Sequence, residues 1–148
     1  MSVAKGFTIL ELLVVIFVIA VVGFALTNNL VIFYFTSLRD EEVGELISTL
    51  NLAQSKSLSG AGDMQYKVAF GSNAYTLVDE GGLVLMSRTL HEAVTLESTV
   101  NEIEFEKITG KTNSCSPTCS IIIGLAKYPG QKFIDVSSEG VIDAYDQP

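Results

Sequence analysis

Residues 9–26 are apolar throughout except for one charge, Glu11. A backbone in hydrocarbon must satisfy its own hydrogen bonds, so a segment of this kind is helical if it enters a membrane. About twenty helical residues cross ~30 Å of hydrocarbon, which makes the first half of an N-terminal helix the expected membrane-spanning element. Lys5 precedes the run, and Arg39, Asp40, Glu41 and Glu42 follow after the mixed stretch NNLVIFYFTSL. The preference of cytoplasmic flanks for basic residues places the N-terminus in the cytoplasm. Glu11 fits none of this. A carboxylate deep in a membrane helix costs roughly 2.5–3.5 kcal/mol, and less near the end.

A secretory signal peptide has a shorter apolar core followed by a small-residue cleavage site. Here the run is longer and no Ala-x-Ala pattern follows it. A plain signal anchor accounts for the length and flanks but not for Glu11. The stretch KGFTILELLVV resembles the type IV prepilin signature: a short basic leader with Lys5, then Gly6, the aromatic Phe7, and Glu11 as the fifth residue past the glycine. Ile9-Leu10 stands where Leu-Ile is commoner. The resemblance covers about the first thirty residues, the span of the signature and its apolar run. It implies that a membrane-embedded prepilin peptidase cuts between Gly6 and Phe7 and then methylates the Phe7 amine. Gly6 suits that junction physically, because a residue without a side chain disfavours helix and separates leader from helix. The resemblance also implies that Glu11 of one subunit meets the Phe7 amine of its neighbour. In a low-dielectric core a mispaired carboxylate is costly, so the pair selects an axial stagger. A carboxylate at a helix start is also favoured by the macrodipole, and the two roles are compatible.

Beyond the apolar run, Gly23, Asn28 and Asn29 can loosen the helix, as a proline or glycine often does in related pilins. If the helix restarts afterwards, Asp40, Glu41 and Glu42 suit its first turn. Val43, Leu46, Ile47, Leu50 and Ala53 recur with helical period and form one apolar stripe. Gly60 and Gly62 mark the end. If unbroken from residue 7 to 57, the helix runs about 75 Å.

From Met64 the period changes to two. Tyr66, Val68 and Phe70 alternate with polar positions. Strands are expected at 75–78, 83–86, 94–96, 102–106, 121–125, 133–136 and 141–145, with turns at GSNA, Tyr128-Pro129-Gly130 and Ser137-Ser138-Glu139-Gly140. In 102–106, Ile103 and Phe105 point inward. Glu102, Glu104 and Glu106 point outward as a solvated face. The expected fold is α+β: a long N-terminal helix, membrane-spanning in its first half and amphipathic in its second, packed on one antiparallel sheet or two small ones. The expected division is a leader at 1–6, a transmembrane and assembly helix at 7–36, an amphipathic helix at 37–60, and a β domain at 61–148.

The formal net charge is −8 and no Lys/Arg run is present, so nucleic acid is not an expected partner. Two cysteines, Cys115 and Cys119, and one histidine, His91, make a weak metal signal. If this part of the chain leaves the cytoplasm, the two cysteines are expected to form a disulfide, whose small loop contributes about 2 kcal/mol. Two free thiols in a turn are the alternative. No catalytic, metal or cofactor motif is present, and no enzyme activity is expected.

The string EIEFEKITGKTNSCSPTCSIIIGLAKYPGQKFIDVSSEGVIDAY resembles the C-terminal portion of H-type pseudopilins and fimbrial-T-type minor pilins, with Gly110 and Gly140 as anchors. Together the resemblances imply a minor pilin or pseudopilin of a type IV pilus or a type II secretion pseudopilus. Its partners would be the prepilin peptidase, other subunits through the N-terminal helix, and the bacterial inner membrane, with the β domain outside. A major pilin and a non-polymerising anchored binding module are the alternatives.

Overall fold

The stripe at residues 43–53 is a buried surface: Leu46, Leu50 and Ala53 are fully inaccessible and Val43 nearly so, with Ile47 at the margin. A computed structural model describes residues 8–60 and 64–146, without the side chains of residues 25–29. Gly62 lies outside the described residues. The element order is α1 (Ile9–Leu58), β1 (Tyr66–Phe70), β2 (Ala74–Asp79), β3 (Val84–Thr89), β4 (Val94–Ser98), β5 (Glu102–Phe105), β6 (Thr118–Leu125), β7 (Gln131–Ser137) and β8 (Ile142–Asp146). The fold is thus α+β, an N-terminal helix packed on antiparallel sheet. The chain divides into two compact units, Met1–Tyr34 and Phe35–Pro148.

Helix α1 runs through Asn28 and Asn29 without a break and does not restart at Asp40. Asparagine and glycine cost under about 1 kcal/mol each inside a helix, and with no proline between Ile9 and Leu58 that is too little to end it. Asp40, Glu41 and Glu42 therefore lie mid-helix. Glu42 is buried and accepts a hydrogen bond from Arg88 Nε of β3 at 3.2 Å. The helix ends as its glycine suggested, with Gly60 at φ +61°, the left-handed cap that other residues avoid.

In the second unit the strands form two four-stranded antiparallel sheets, ordered β3-β2-β1-β5 and β4-β6-β7-β8. The expected alternation holds in each. In the first sheet, Val68 lies opposite Leu77 on one side and Ile103 on the other. In the second, Ile121 lies opposite Ile134. All five are at or near zero exposure and join the helical stripe in one core. Strand β3 starts at Val84 and extends to Thr89, further than the apolar residues Leu83–Met86 suggested, because Arg88 pairs in register with Tyr75. The Tyr75 hydroxyl is buried beside Thr49 with no partner in hydrogen-bonding geometry among the described residues, and burial raises its pKa.

Two loops are tied to the helix by one side chain. Gln54 Nε2 donates to the carbonyl of Gly110 at 3.1 Å and to that of Gly140 at 2.8 Å. Both glycines have positive φ, +65° and +81°. A Cβ on Gly140 would overlap the Gly110 carbonyl and crowd the Gln54 amide. The two glycines read as anchors from sequence are thus parts of one contact. Between them, Cys115 and Cys119 are joined in a disulfide and are both buried.

Leu50→Ala should cost about 2–5 kcal/mol as a buried cavity. Gln54→Ala should cost about 1–3 kcal/mol, because two carbonyls lose their donor. Replacing Cys115 and Cys119 together by serine should cost about 2 kcal/mol. Urea unfolding of the full chain in detergent, followed by tyrosine fluorescence because the chain has no tryptophan, checks all three.

Candidate assembly site at the helix start

Glu11 is the only charged residue between positions 8 and 38. Every described side chain from Ile9 to Phe24 is exposed, whichever way it points from the helix. Ile9 is 81% accessible, Phe17 69% and Phe24 77%. Since these values exceed what a packed core allows, this surface is apolar all round apart from Glu11 and is not buried in a core. A helix of that kind needs a hydrocarbon environment or other helices.

Glu11 sits in the first turn of α1. Thr8 begins that turn: its carbonyl accepts the amides of Glu11 at 3.1 Å and Leu12 at 3.2 Å, and its hydroxyl Oγ1 accepts the Glu11 amide at 3.3 Å. A hydroxyl residue followed three positions later by glutamate is the spacing of a capping box. The sequence reading gave Glu11 a macrodipole role but missed Thr8, although Thr8-Ile9-Leu10-Glu11 carries the signal. Glu11 therefore stands at a defined helix start. Gly6 and Phe7, the residues of the expected cleavage junction and methylation, lie outside the described residues.

The other sequence candidates do not converge on a reaction centre. His91 is exposed and its Nδ1 accepts the Ala93 amide at 3.1 Å. It lines an open groove of about 410 Å³ with Phe35, Glu92, Lys127 and Tyr128, in which the Phe35 and Tyr128 rings stack. Glu102 pairs with Lys67 Nζ at 2.9 Å, and that hydrogen bond raises the lysine pKa. Glu106 accepts from Thr109 and Asn113. These carboxylates, Glu102 on β5 and Glu106 just past its end, fasten neighbouring chain. Among the described residues no three His, Cys, Asp or Glu side chains are grouped to hold a metal ion.

Residues 1–27 match the family described as prokaryotic N-terminal methylation motif. No curated protein and no solved structure matches the chain. The motif match supports a type IV pilin-like protein, a class of structural subunits processed by the prepilin peptidase and assembled with other pilins. It also points to membrane anchoring through the N-terminal helix. Among the described residues no helix is long and apolar enough to cross a membrane, and the expected span, 9–26, runs past the last described side chain before residue 25.

Thr8→Ala should fray the first turn by about 0.5–2 kcal/mol, the usual cost of losing a cap. Hydrogen exchange in detergent micelles should show the Glu11 amide exchanging several-fold faster while amides beyond Val15 are unchanged.

Proposed function

We propose that the chain is a minor pilin or pseudopilin, a structural subunit of a type IV pilus or a type II secretion pseudopilus. The observation that carries this reading is Glu11, the one charge in the apolar start of α1, where every described side chain from Ile9 to Phe24 is exposed, within the matched residues 1–27. Residues 1–6 are the leader, 7–36 the membrane and assembly helix, 37–60 its amphipathic continuation, and 61–148 the β domain. The prepilin peptidase cuts between Gly6 and Phe7 and methylates the new amine. Before assembly the subunit crosses the bacterial inner membrane once, with its N-terminus cytoplasmic and its domain outside, where the Cys115–Cys119 bond is stable. The shared contact of Gly110 and Gly140 with Gln54 supports the H-type or fimbrial-T-type reading of the C-terminal portion.

Assembly exchanges lipid contacts for contacts between helices. On entering the bundle, the Phe7 amine of one subunit is stabilised by Glu11 of its neighbour. An uncompensated charge in such a core costs about 3–5 kcal/mol, so the pair fixes the axial stagger even where it adds little net stability. The capped first turn holds Glu11 in place for it.

In cells with an active peptidase, mass spectrometry should find the mature chain beginning at Phe7 with one added methyl group, and Gly6→Leu should leave the leader attached. Glu11→Val should insert, be cleaved and fold normally, because the helix becomes more apolar and the domain is untouched. It should be lost from sheared filaments, and Glu11→Gln should be partly lost. Wild-type filament levels of Glu11→Val would overturn the stagger argument. An uncleaved chain would instead favour a non-polymerising anchored module.

A further inference from the structure

We infer that the outward face of the second sheet docks a basic, extended polypeptide segment of a partner protein. The surface is set by strand register. Glu97 of β4 lies opposite Ile122 of β6, Ile122 opposite Phe133 of β7, and Phe133 opposite Tyr145 of β8. Directly opposed residues share a face, so these four form a row across the sheet. Their face is the outer one, because the alternate residues Ile121, Ile123 and Ile134 are fully buried. Phe133 and Tyr145 stack with ring centroids 5.6 Å apart, and Tyr145 remains 48% exposed. The result is an apolar strip on the solvent side of the sheet.

The charges in the strand rows flanking the strip are all carboxylates, beside the neutral Ser120 on one side and Thr95, Gly124 and Gln131 on the other. Asp135 and Asp143 oppose each other in the next row, and Glu97 ends the aromatic row. Glu97 and Asp143 are exposed and have no ion-pair partner among the described residues. Lys132, the one base in the four strands, lies in the inward row opposite Ile123 and reaches Asp40 at 3.7 Å and Asp146 at 3.5 Å. Among the described residues of these four strands, no base therefore lies on this face. The strip is also held in shape: Asp135 accepts hydrogen bonds from Ser120 Oγ at 2.6 Å and Tyr145 Oη at 2.9 Å. Fixing the ring before contact lowers the entropy lost on binding.

Charge complementarity selects the occupant. A lysine or arginine can lay its aliphatic stem along Ile122 and Phe133, place its charge near Glu97 or Asp143, and interact with the Tyr145 ring. Strand β8 is the sheet edge, so its outer backbone groups can receive an extended chain. A second copy of this chain is disfavoured, because its net charge of −8 repels the same sign. A polysaccharide would use the rings but has no use for unpaired carboxylates. This surface is independent of the apolar helix and of the assembly reading.

The test uses the full chain in uncharged detergent. Fluorescence anisotropy measures binding of a peptide of about ten residues alternating lysine and valine, of its glutamate counterpart, and of a cello-oligosaccharide. The lysine peptide alone should bind, and its affinity should fall about tenfold between low and high salt, as exposed charge pairs are screened. The double variant Glu97→Gln/Asp143→Asn should weaken binding about tenfold, and Tyr145→Ser should do likewise. Glu41→Gln/Glu92→Gln, which removes the same charge from exposed sites elsewhere, should change it less than about twofold. Equal loss in both double variants would show binding to net charge alone and overturn the inference. So would preference for the oligosaccharide, self-association through the face, or no binding of the lysine peptide.

Discussion

Two four-stranded sheets with no strand in common do not hold each other by backbone hydrogen bonds, and in this protein the second part of α1 supplies what joins them. Leu46, Leu50 and Ala53 enter one core with Val68 and Ile103 of the first sheet and Ile121 and Ile134 of the second. The helix also carries polar links to both. Glu42 binds Arg88 on β3, and its hydrogen bond is the main reason the Arg88 pKa is raised. Asp40 and the buried Arg39 meet Lys132 and Asp146 on β7 and β8. A buried carboxylate such as Glu42 adds little net stability beyond offsetting its own desolvation. Its larger effect is to allow only one rotation of the helix over the sheets, because any other leaves it unpaired.

How much of this was legible in the sequence follows from which interactions have a period. The stripe at Val43, Leu46, Leu50 and Ala53 repeats every three to four residues, and the strands alternate, so both could be read from residue type alone. The end at Gly60 was legible for a similar local reason. Gln54 was not. Its two acceptors are 56 and 86 positions away, and nothing local distinguishes it from a solvated glutamine. A first-turn place for Glu42 held only if the helix restarted, and the small helix cost of the asparagines does not enforce that restart. The division into two sheets, rather than one, depends on pairings such as β1 with β5 that skip the intervening strands.

The helix start shows the opposite case, in which a local signal was present but overshadowed. A charge in an apolar run is the more conspicuous feature, while Thr8 carries the capping signal three positions before Glu11. The capping geometry gives Glu11 a local setting that would exist in an isolated chain. It does not account for the absence of any other charge up to Arg39. A cap alone could be completed by glutamine or by a polar first turn. A lone carboxylate on an apolar surface makes more physical sense where a cation arrives from outside the chain and the surroundings contain no competing charge.

The distribution of charge in the domain sharpens what a net value of −8 means. Arg39, Lys67, Arg88, Lys111 and Lys132 all have carboxylate partners within the chain. Most of the bases are thus already engaged, and the excess of acids is left at particular places. Exposed intramolecular pairs of this kind contribute little stability in water, so their main consequence is to remove positive charge from the surface. The potential seen by an approaching molecule is then set by acids without partners, among them Glu97 and Asp143 beside the Phe133–Tyr145 stack. Repulsion of polyanions and attraction of basic segments have the same cause, and both are stronger at this face than the net charge spread evenly over the domain would make them.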